Sequence, residues 1–428
     1  MQNFLHKTKI VLLDKNLRNK ILFVLLALII FRIFAAIPIP GVDSLKLEQY
    51  LSNNQFLGIL NIFSGGGLSS LSIVMLGVGP YITASIILQL LTIMIPKLKA
   101  LYHEEGDAGR KKFIQYSRIL TVPLAAIQGF ALISLLQQQD IIAQFSLFNL
   151  LTNLLVVVGG SILIMWLGEL ISEYGIGNGV SMIIFAGIVA YIPSQLGQLI
   201  YTFDVSQLTL YIGALMTALL IIIGVVIVSE GERPIPITYA RRVRGSKVYG
   251  GVSTYLPLRI NQAGVMPIIF ALSLLLFPQM IANFFIAMEG AVFQKIGSIL
   301  NTFSQTTWLY TTFYFILVFL FTYFYTAVTF DPKSVSSNLQ KMGGFIPGIR
   351  PGPSTANFLF YILNRVLLVG ALFLGFIAVL PSIIGGLTGV LAFQFLIGGT
   401  SLLIVVSVVL ETIKQIESQL KMRDYETF

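Results

Sequence analysis

Cysteine is absent from the 428 residues, and histidine occurs only twice, at His6 and His103. Without thiols there is no disulfide framework and no thiol redox centre, and two isolated imidazoles form no metal cluster at a recognisable spacing. Charge is scarce as well. Asp, Glu, Lys and Arg make up 11% of the chain against 56% hydrophobic residues, and the mean hydropathy is +0.87. So little polar surface cannot coat a soluble domain, and the composition suits a bilayer as solvent. A glycine-rich nucleotide-binding loop is also missing, so any directional work must be driven from outside.

What is present is a series of apolar windows long enough to cross a membrane. They fall near 21–39, 73–95, 117–137, 148–170, 179–199, 209–229, 262–282, 306–328, 357–380 and 392–411. The first follows Lys7, Lys9, Lys15, Arg18 and Lys20 and ends in Pro38, Pro40 and Gly41. That ending is not a small-residue cleavage site, so the segment reads as a retained helix and not as a removable leader. All lysines and arginines except Arg32, Lys46, Lys295 and Arg365 fall in segments on one side of this layout: 1–20, 97–118, 230–259, 329–356 and 412–428. The positive-inside rule then predicts both termini in the cytoplasm. Ten spans divide into two sets of five, 21–199 and 209–411. An odd number per set makes the second run opposite to the first, and inverted repeats place a shared pathway where they meet.

The segment 61–96 reads as a helix that starts twice, interrupted by Ser64, Gly65, Gly66, Gly67, Ser69 and Ser70. Unpaired amides and carbonyls in hydrocarbon cost several kcal/mol each, so this break must be shielded by protein or line a water-filled cavity. Intramembrane charge is limited to Arg32, Glu169, Arg365 and Glu411. All but Arg32 lie within reach of a helix end, and for Arg32 the plain reading is a paired or snorkelling arginine. Glycine pairs such as Gly159 and Gly160 read as close helix packing.

Two long loops stand out in a chain so poor in charge. Residues 231–259 carry Arg233, Arg241, Arg242, Arg244, Lys247 and Arg259 among alternating β-branched residues, which predicts a projecting β-hairpin-type loop. Residues 331–357 hold Gly-Phe-Ile-Pro-Gly-Ile-Arg-Pro-Gly, a rigid turn around Arg350. Topology-setting charge is the plain reading of both; their length favours a docking surface for a cytoplasmic partner, protein or RNA.

Six collinear stretches carry a resemblance: FRIFAAIPIPGVD (31–43), FSGGGLSSLSIVMLGVGPYITASIILQLLT (63–92), MWLGELISEYGIGNGVSMIIFAGIVA (165–190), YLPLRINQAGVMPIIFALSLLLFP (255–278), FYTAVTFDPKSVSSNLQKMGGFIPGIRPG (324–352) and GGTSLLIVVSVVLE (398–411). Together they resemble the SecY family of protein-translocase channel subunits across nearly the whole chain. The resemblance implies an all-α integral membrane protein, with ten transmembrane helices in two inverted five-helix halves around a central pore and a plug half-helix over about 60–71. It implies a pore ring at Val78, Ile82, Val180, Ile184, Ile269 and Ile404, and a plug including Phe63, Ser64, Gly65, Gly66, Gly67 and Leu68. Polar contacts across a lateral gate between the second and seventh spans fall on Gln89, Thr92 and Ser273, and partner docking on Arg241, Arg242, Arg244 and Arg350.

The same resemblance implies a polypeptide conduit, not an enzyme, with no cofactor. The expected partners are SecE-like and SecG-like small subunits, a SecA motor or a ribosome, signal-peptide-bearing substrates and the lipid bilayer. The expected location is the bacterial inner membrane, with a plastid thylakoid as the other host. A secondary transporter or lipid flippase with inverted repeats is the rival reading; it would place polar ligands where the halves meet, and the matched positions here are Val and Ile.

Overall fold

The computed structural model describes residues 13–39, 46–47, 61, 64–68, 70–103, 105–139, 141–142, 146–201, 206, 208–239, 242–244, 247–249, 253–287, 290–388 and 399–426. Within these the chain is mostly helical. The elements run α1 (Lys15–Ala35), α2 (Gly79–Met94), α3 (Pro96–His103), α4 (Gly106–Gln138), α5 (Leu147–Tyr174), α6 (Gly179–Tyr201) and α7 (Leu208–Glu230). Four strands follow: β1 (Glu232–Tyr239), β2 (Arg242–Arg244), β3 (Lys247–Tyr249) and β4 (Ser253–Arg259). The chain continues through α8 (Met266–Ala287), α9 (Ala291–Gln305), α10 (Thr307–Thr329), α11 (Pro332–Lys341), β5 (Gly344–Phe345), α12 (Pro353–Thr388) and α13 (Gly399–Glu426). Each of the ten apolar windows overlaps one of these helices, the second from Gly79 onward and the last over its described residues 399–411. Five are long and apolar enough to cross a membrane by themselves, and a sixth qualifies if α2 and α3 count as one bent span.

Local chemistry sets several boundaries. Asp14 caps α1, its carboxylate accepting from the amides of Asn16 at 2.9 Å and Leu17 at 3.4 Å. Ser146 caps α5 and Asp331 caps α11 in the same way. Between α2 and α3 the chain bends by 116° at Ile95, which is extended because Pro96 follows it. The turn joining α5 to α6 is held from a distance: the Gly177 amide donates to Gln415 Oε1 of α13 at 2.7 Å, and Gly179 donates to Ser172 Oγ at 2.8 Å. Gly177 has φ +90°, a conformation that needs glycine.

Contacts divide the chain into two compact units: Met1–Gln207 with Leu272–Thr307 and Ile404–Phe428, and Leu208–Ala271 with Trp308–Leu403. The first has a core of Ile39, Leu68, Leu71, Met75, Leu136 and Val157, in which the break before α2 packs against α4 and α5. Arg118 of α4 pairs with Glu169 of α5 there, at 2.9 Å from Nε and 2.8 Å from Nη2. Glu169, one of the two carboxylates within the spans, is thus paired across helices. The second unit joins α10 to α8 through Phe270, whose ring meets Phe321 and Tyr325 edge-on at 6.0 and 5.6 Å.

The second unit also carries the predicted hairpin. β1 and β4 pair antiparallel from Glu232↔Arg259 to Thr238↔Ser253, and β2 pairs with β3 beyond them. β5 adds to the other edge of β1 through Thr238↔Phe345 and Tyr239↔Gly344, giving the order β4-β1-β5. Pro234 and Pro236, two residues apart, lack amides on the same edge of β1, where β5 does not reach. Ile235, Leu258, Ile346 and Leu359 bury one face of this sheet against the start of α12.

Helix-packing glycines give a direct test. A methyl group on Gly160 would overlap the Ile73 carbonyl, whereas one on Gly159 would meet open space. Gly160→Ala should therefore lower stability by about 1–3 kcal/mol, read as a lower thermal unfolding midpoint of the purified protein. Gly159→Ala is expected to leave that midpoint unchanged.

Candidate functional site

The break before α2 is a sequence of tight turns, buried in protein. Ser64, Gly65, Gly67 and Leu68 are buried, and the polar groups of this segment are largely paired. The Asn61 carbonyl accepts from the Gly66 amide at 2.8 Å and from Ser64 Oγ at 3.0 Å, and Ser64 Oγ in turn accepts from the Leu68 amide at 3.0 Å. Ser72 N–H donates to the Gly67 carbonyl at 2.8 Å, and Gly77 N–H to the Val74 carbonyl at 2.8 Å. Two strand-like bonds tie the segment to the end of α1, from Ile39 N to Leu71 O at 2.9 Å and from Ile73 N to Ile37 O at 3.0 Å. Ser70 Oγ adds a bond to the Ala35 carbonyl at 2.8 Å.

Glycine is required at the centre of this arrangement. Gly65 and Gly66 have φ of +65° and +85°, and a side chain on Gly65 would run into the Phe31 ring. From the opposite side, Gly187 of α6 lies so close that any Cβ there would overlap Gly65 Cα. The remaining acceptor, the Gly65 carbonyl, takes a hydrogen bond from Arg32 Nη1 at 2.9 Å. Arg32 is therefore a paired arginine whose partner is the broken backbone itself. Leu71, fully buried, is held at φ +41°, a conformation leucine adopts only under restraint from its surroundings. Past Gly77, at φ +54°, the chain enters α2 with Val78 at the cap and Pro80 in the first turn.

The chain as a whole is matched by known proteins. The SecY family model matches residues 72–413. The chain belongs to the SecY family. The protein translocase subunit SecY of Mycobacterium leprae is 44% identical over 437 residues, covering 96% of this chain and 97% of that one. A solved SecY, whose plug domain stabilises the closed state of the translocation channel, superposes with a TM-score of 0.62 at 20% identity, covering 93% of this chain and 91% of the other. Sec61 in a canine ribosome–channel complex gives 0.59 at 18% identity, with the same coverages. At those identities the structures speak for the fold. Membership makes the chain a membrane-embedded channel subunit of a protein translocase, and not an enzyme.

Of the positions expected to form a ring, Val78, Ile82, Ile184 and Ile404 are buried in the first unit, and Ile269 is buried in the second. Val180 is half-buried, with a methyl group leaning towards Gly168 of α5. Among the positions expected at a gate, the Thr92 hydroxyl donates within its own helix to the Gln89 carbonyl at 2.6 Å. Gln89 Oε1 is buried without a partner, and Ser273 is buried. Arg242 and Arg244 lie on β2, where Arg244 is paired in register with Lys247. Arg350 is exposed on a turn fixed by Gly348 and Gly352 at φ +82° and +99°; its carbonyl accepts from Thr355 Oγ1 at 2.9 Å. Phe63 and Arg241 lie outside the described residues.

Sequence reasoning did not find the Arg32–Gly65 bond, the Gly187–Gly65 approach or the Arg118–Glu169 pair. The available signals were an arginine alone in the middle of a span and a glycine inside an otherwise bulky one. The close approach is testable. Gly187→Val pushes methyl groups into the space of Gly65, so the turn cannot seat, and the resting ion conductance of the reconstituted complex should rise. Gly197→Val on the same helix, where a Cβ meets open space, should leave conductance at the wild-type level.

Proposed function

We infer that this chain conducts unfolded, signal-bearing polypeptides across the membrane through a pore sealed at Val78, Ile82, Val180, Ile184, Ile269 and Ile404. The observation that carries this reading is the largely buried turn at 64–72, which leads through 73–77 to Val78 at the start of α2. An aliphatic ring offers ions no hydrogen bonds and seals by dewetting, and it can flex around chains of any sequence. The segment from Ser64 to Leu68 acts as part of the plug. Its glycines and serine let it pack tightly when closed, and on leaving it exposes one large apolar side chain, Leu68.

Gln89, Thr92 and Ser273 line a lateral gate in this reading. A ten-residue apolar signal core gains roughly 3–6 kcal/mol by moving into lipid, while polar segments continue through, so the gate sorts by partition energy. Both termini and the two basic loops face the cytoplasm of a bacterial inner membrane, or the corresponding side of a thylakoid. Arg241, Arg242, Arg244 and Arg350 form the docking surface for a SecA-type motor or a ribosome. The likeness to Sec61 in a ribosome-bound complex supports the ribosome as one such partner. SecE-like and SecG-like subunits complete the assembly.

Ile404→Asn places an amide in the dry ring and should raise ion leakage through the reconstituted complex; an unchanged leak would remove Ile404 from the seal. Arg350→Glu should slow post-translational export severalfold while the protein remains inserted at normal abundance. Export at the wild-type rate would count against docking at that turn.

A further inference from the structure

Arg365 takes no part in the pore, the plug or the basic loops. It stands on α12 beside a groove of about 670 Å³ between α10 and α12. Its guanidinium carbon lies 4.2 Å from the centre of the Tyr361 ring, and among the described residues no carboxylate pairs with it. Stacking on a ring leaves the donors around a guanidinium's rim able to bond an anion. Asn357 and Asn364 line the same groove with two amides, and Tyr323 of α10 closes its far side. Phe360 and Leu368 supply apolar walls, 56% and 47% exposed.

The depth of this groove follows from the sequence of α12. No charged residue follows Arg365 until Glu411, and the first 20 residues of that run, Val366–Gly385, make about 30 Å of helix, the thickness of a hydrocarbon core. Arg365 is the last residue before that run. On the exposed face the composition changes at the same level, from Asn357, Tyr361 and Arg365 to Leu368, Leu372 and Phe376. On α10, Trp308 is 80% exposed near one end and Tyr323 lies near the other, as expected of anchors at two interfaces. A cation, two amides and a tyrosine therefore meet lipid where phosphates lie, with apolar walls running into the chains.

We propose that this groove seats the phosphate of an anionic phospholipid in the leaflet next to the Arg350 turn, with Arg365 as its principal donor. A single positive charge with no acidic neighbour in the lining favours phosphatidylglycerol-type headgroups over phosphatidylethanolamine, whose ammonium would face Arg365. Cationic pockets between transmembrane helices bind lipid headgroups by this chemistry.

The test places this chain's only tryptophan at the groove: Phe360→Trp, with Trp166 and Trp308 replaced by Phe, in the complete complex reconstituted into vesicles, read against the same complex with no tryptophan in this chain. Quenching by brominated phosphatidylglycerol should exceed that by brominated phosphatidylethanolamine in relative affinity by about fivefold, the ratio expected from one basic residue near an anionic surface. Arg365→Gln should bring the ratio close to one, and Arg365→Lys should keep part of it. If Arg365→Gln does not accumulate, the double variant Asn357→Ala with Asn364→Ala carries the test and should lower the ratio. An unchanged ratio in either variant overturns the proposal. Inorganic phosphate should not relieve the quenching; relief would assign the site to a soluble anion instead. Photo-crosslinking from position 360 into a protein subunit in place of lipid would also overturn it. None of these readouts requires translocation, so a negative result leaves the channel reading intact.

Discussion

A backbone that leaves regular structure inside a membrane must find partners for its amides and carbonyls, and most of the first unit is organised around meeting that demand for ten residues. The segment from Ser64 to Ile73 solves it with short-range turns, two bonds to the end of α1 and one charged donor, Arg32. Close approach is the second half of the solution. Gly65 fits only because Phe31 and Gly187 leave it the space of a residue without a side chain. An arginine in mid-span is costly by itself. Here its cost is offset by removing an equally costly orphan carbonyl, so the two liabilities cancel each other.

This economy suits a segment with two states. A seal held by large interdigitated side chains would lose much apolar contact on opening. In the proposed plug the glycine turns limit that loss to few side chains, Leu68 and Leu71 among them, and water can replace the hydrogen bonds. Leu71, held at φ +41°, stores strain in the same place, and strain of that kind is relieved when the surroundings let go. Past it, Gly77 at φ +54° leads the chain into α2, with Val78 at the cap.

Much of this was legible from the residues. Apolar windows located ten helices because a span must be long, apolar and uninterrupted, and those demands are written along the chain. The break at 64–72 was visible because glycine and serine runs cannot be a lipid-facing helix. The hairpin showed in its alternating β-branched residues and glycines. What escaped notice depends on residues far apart. Arg32 and Gly65 are separated by 33 positions, and nothing local marks which carbonyl an arginine will find. Arg118 was counted with a basic loop because α4 begins at Gly106, well ahead of its apolar stretch. β5, only two residues long, has no period to detect.

The pairing of β5 with β1 has a mechanical meaning. Two loops distant in sequence are stitched into one small sheet, and that sheet rests on the start of α12 through Ile235, Leu258, Ile346 and Leu359. A flexible loop dissipates force by stretching. A sheet bonded along its strands passes force on as shear, and a buried apolar seat turns that shear into displacement of the helix beneath. Push or pull applied at the Arg350 turn or at the hairpin therefore reaches α12 as one load along one path.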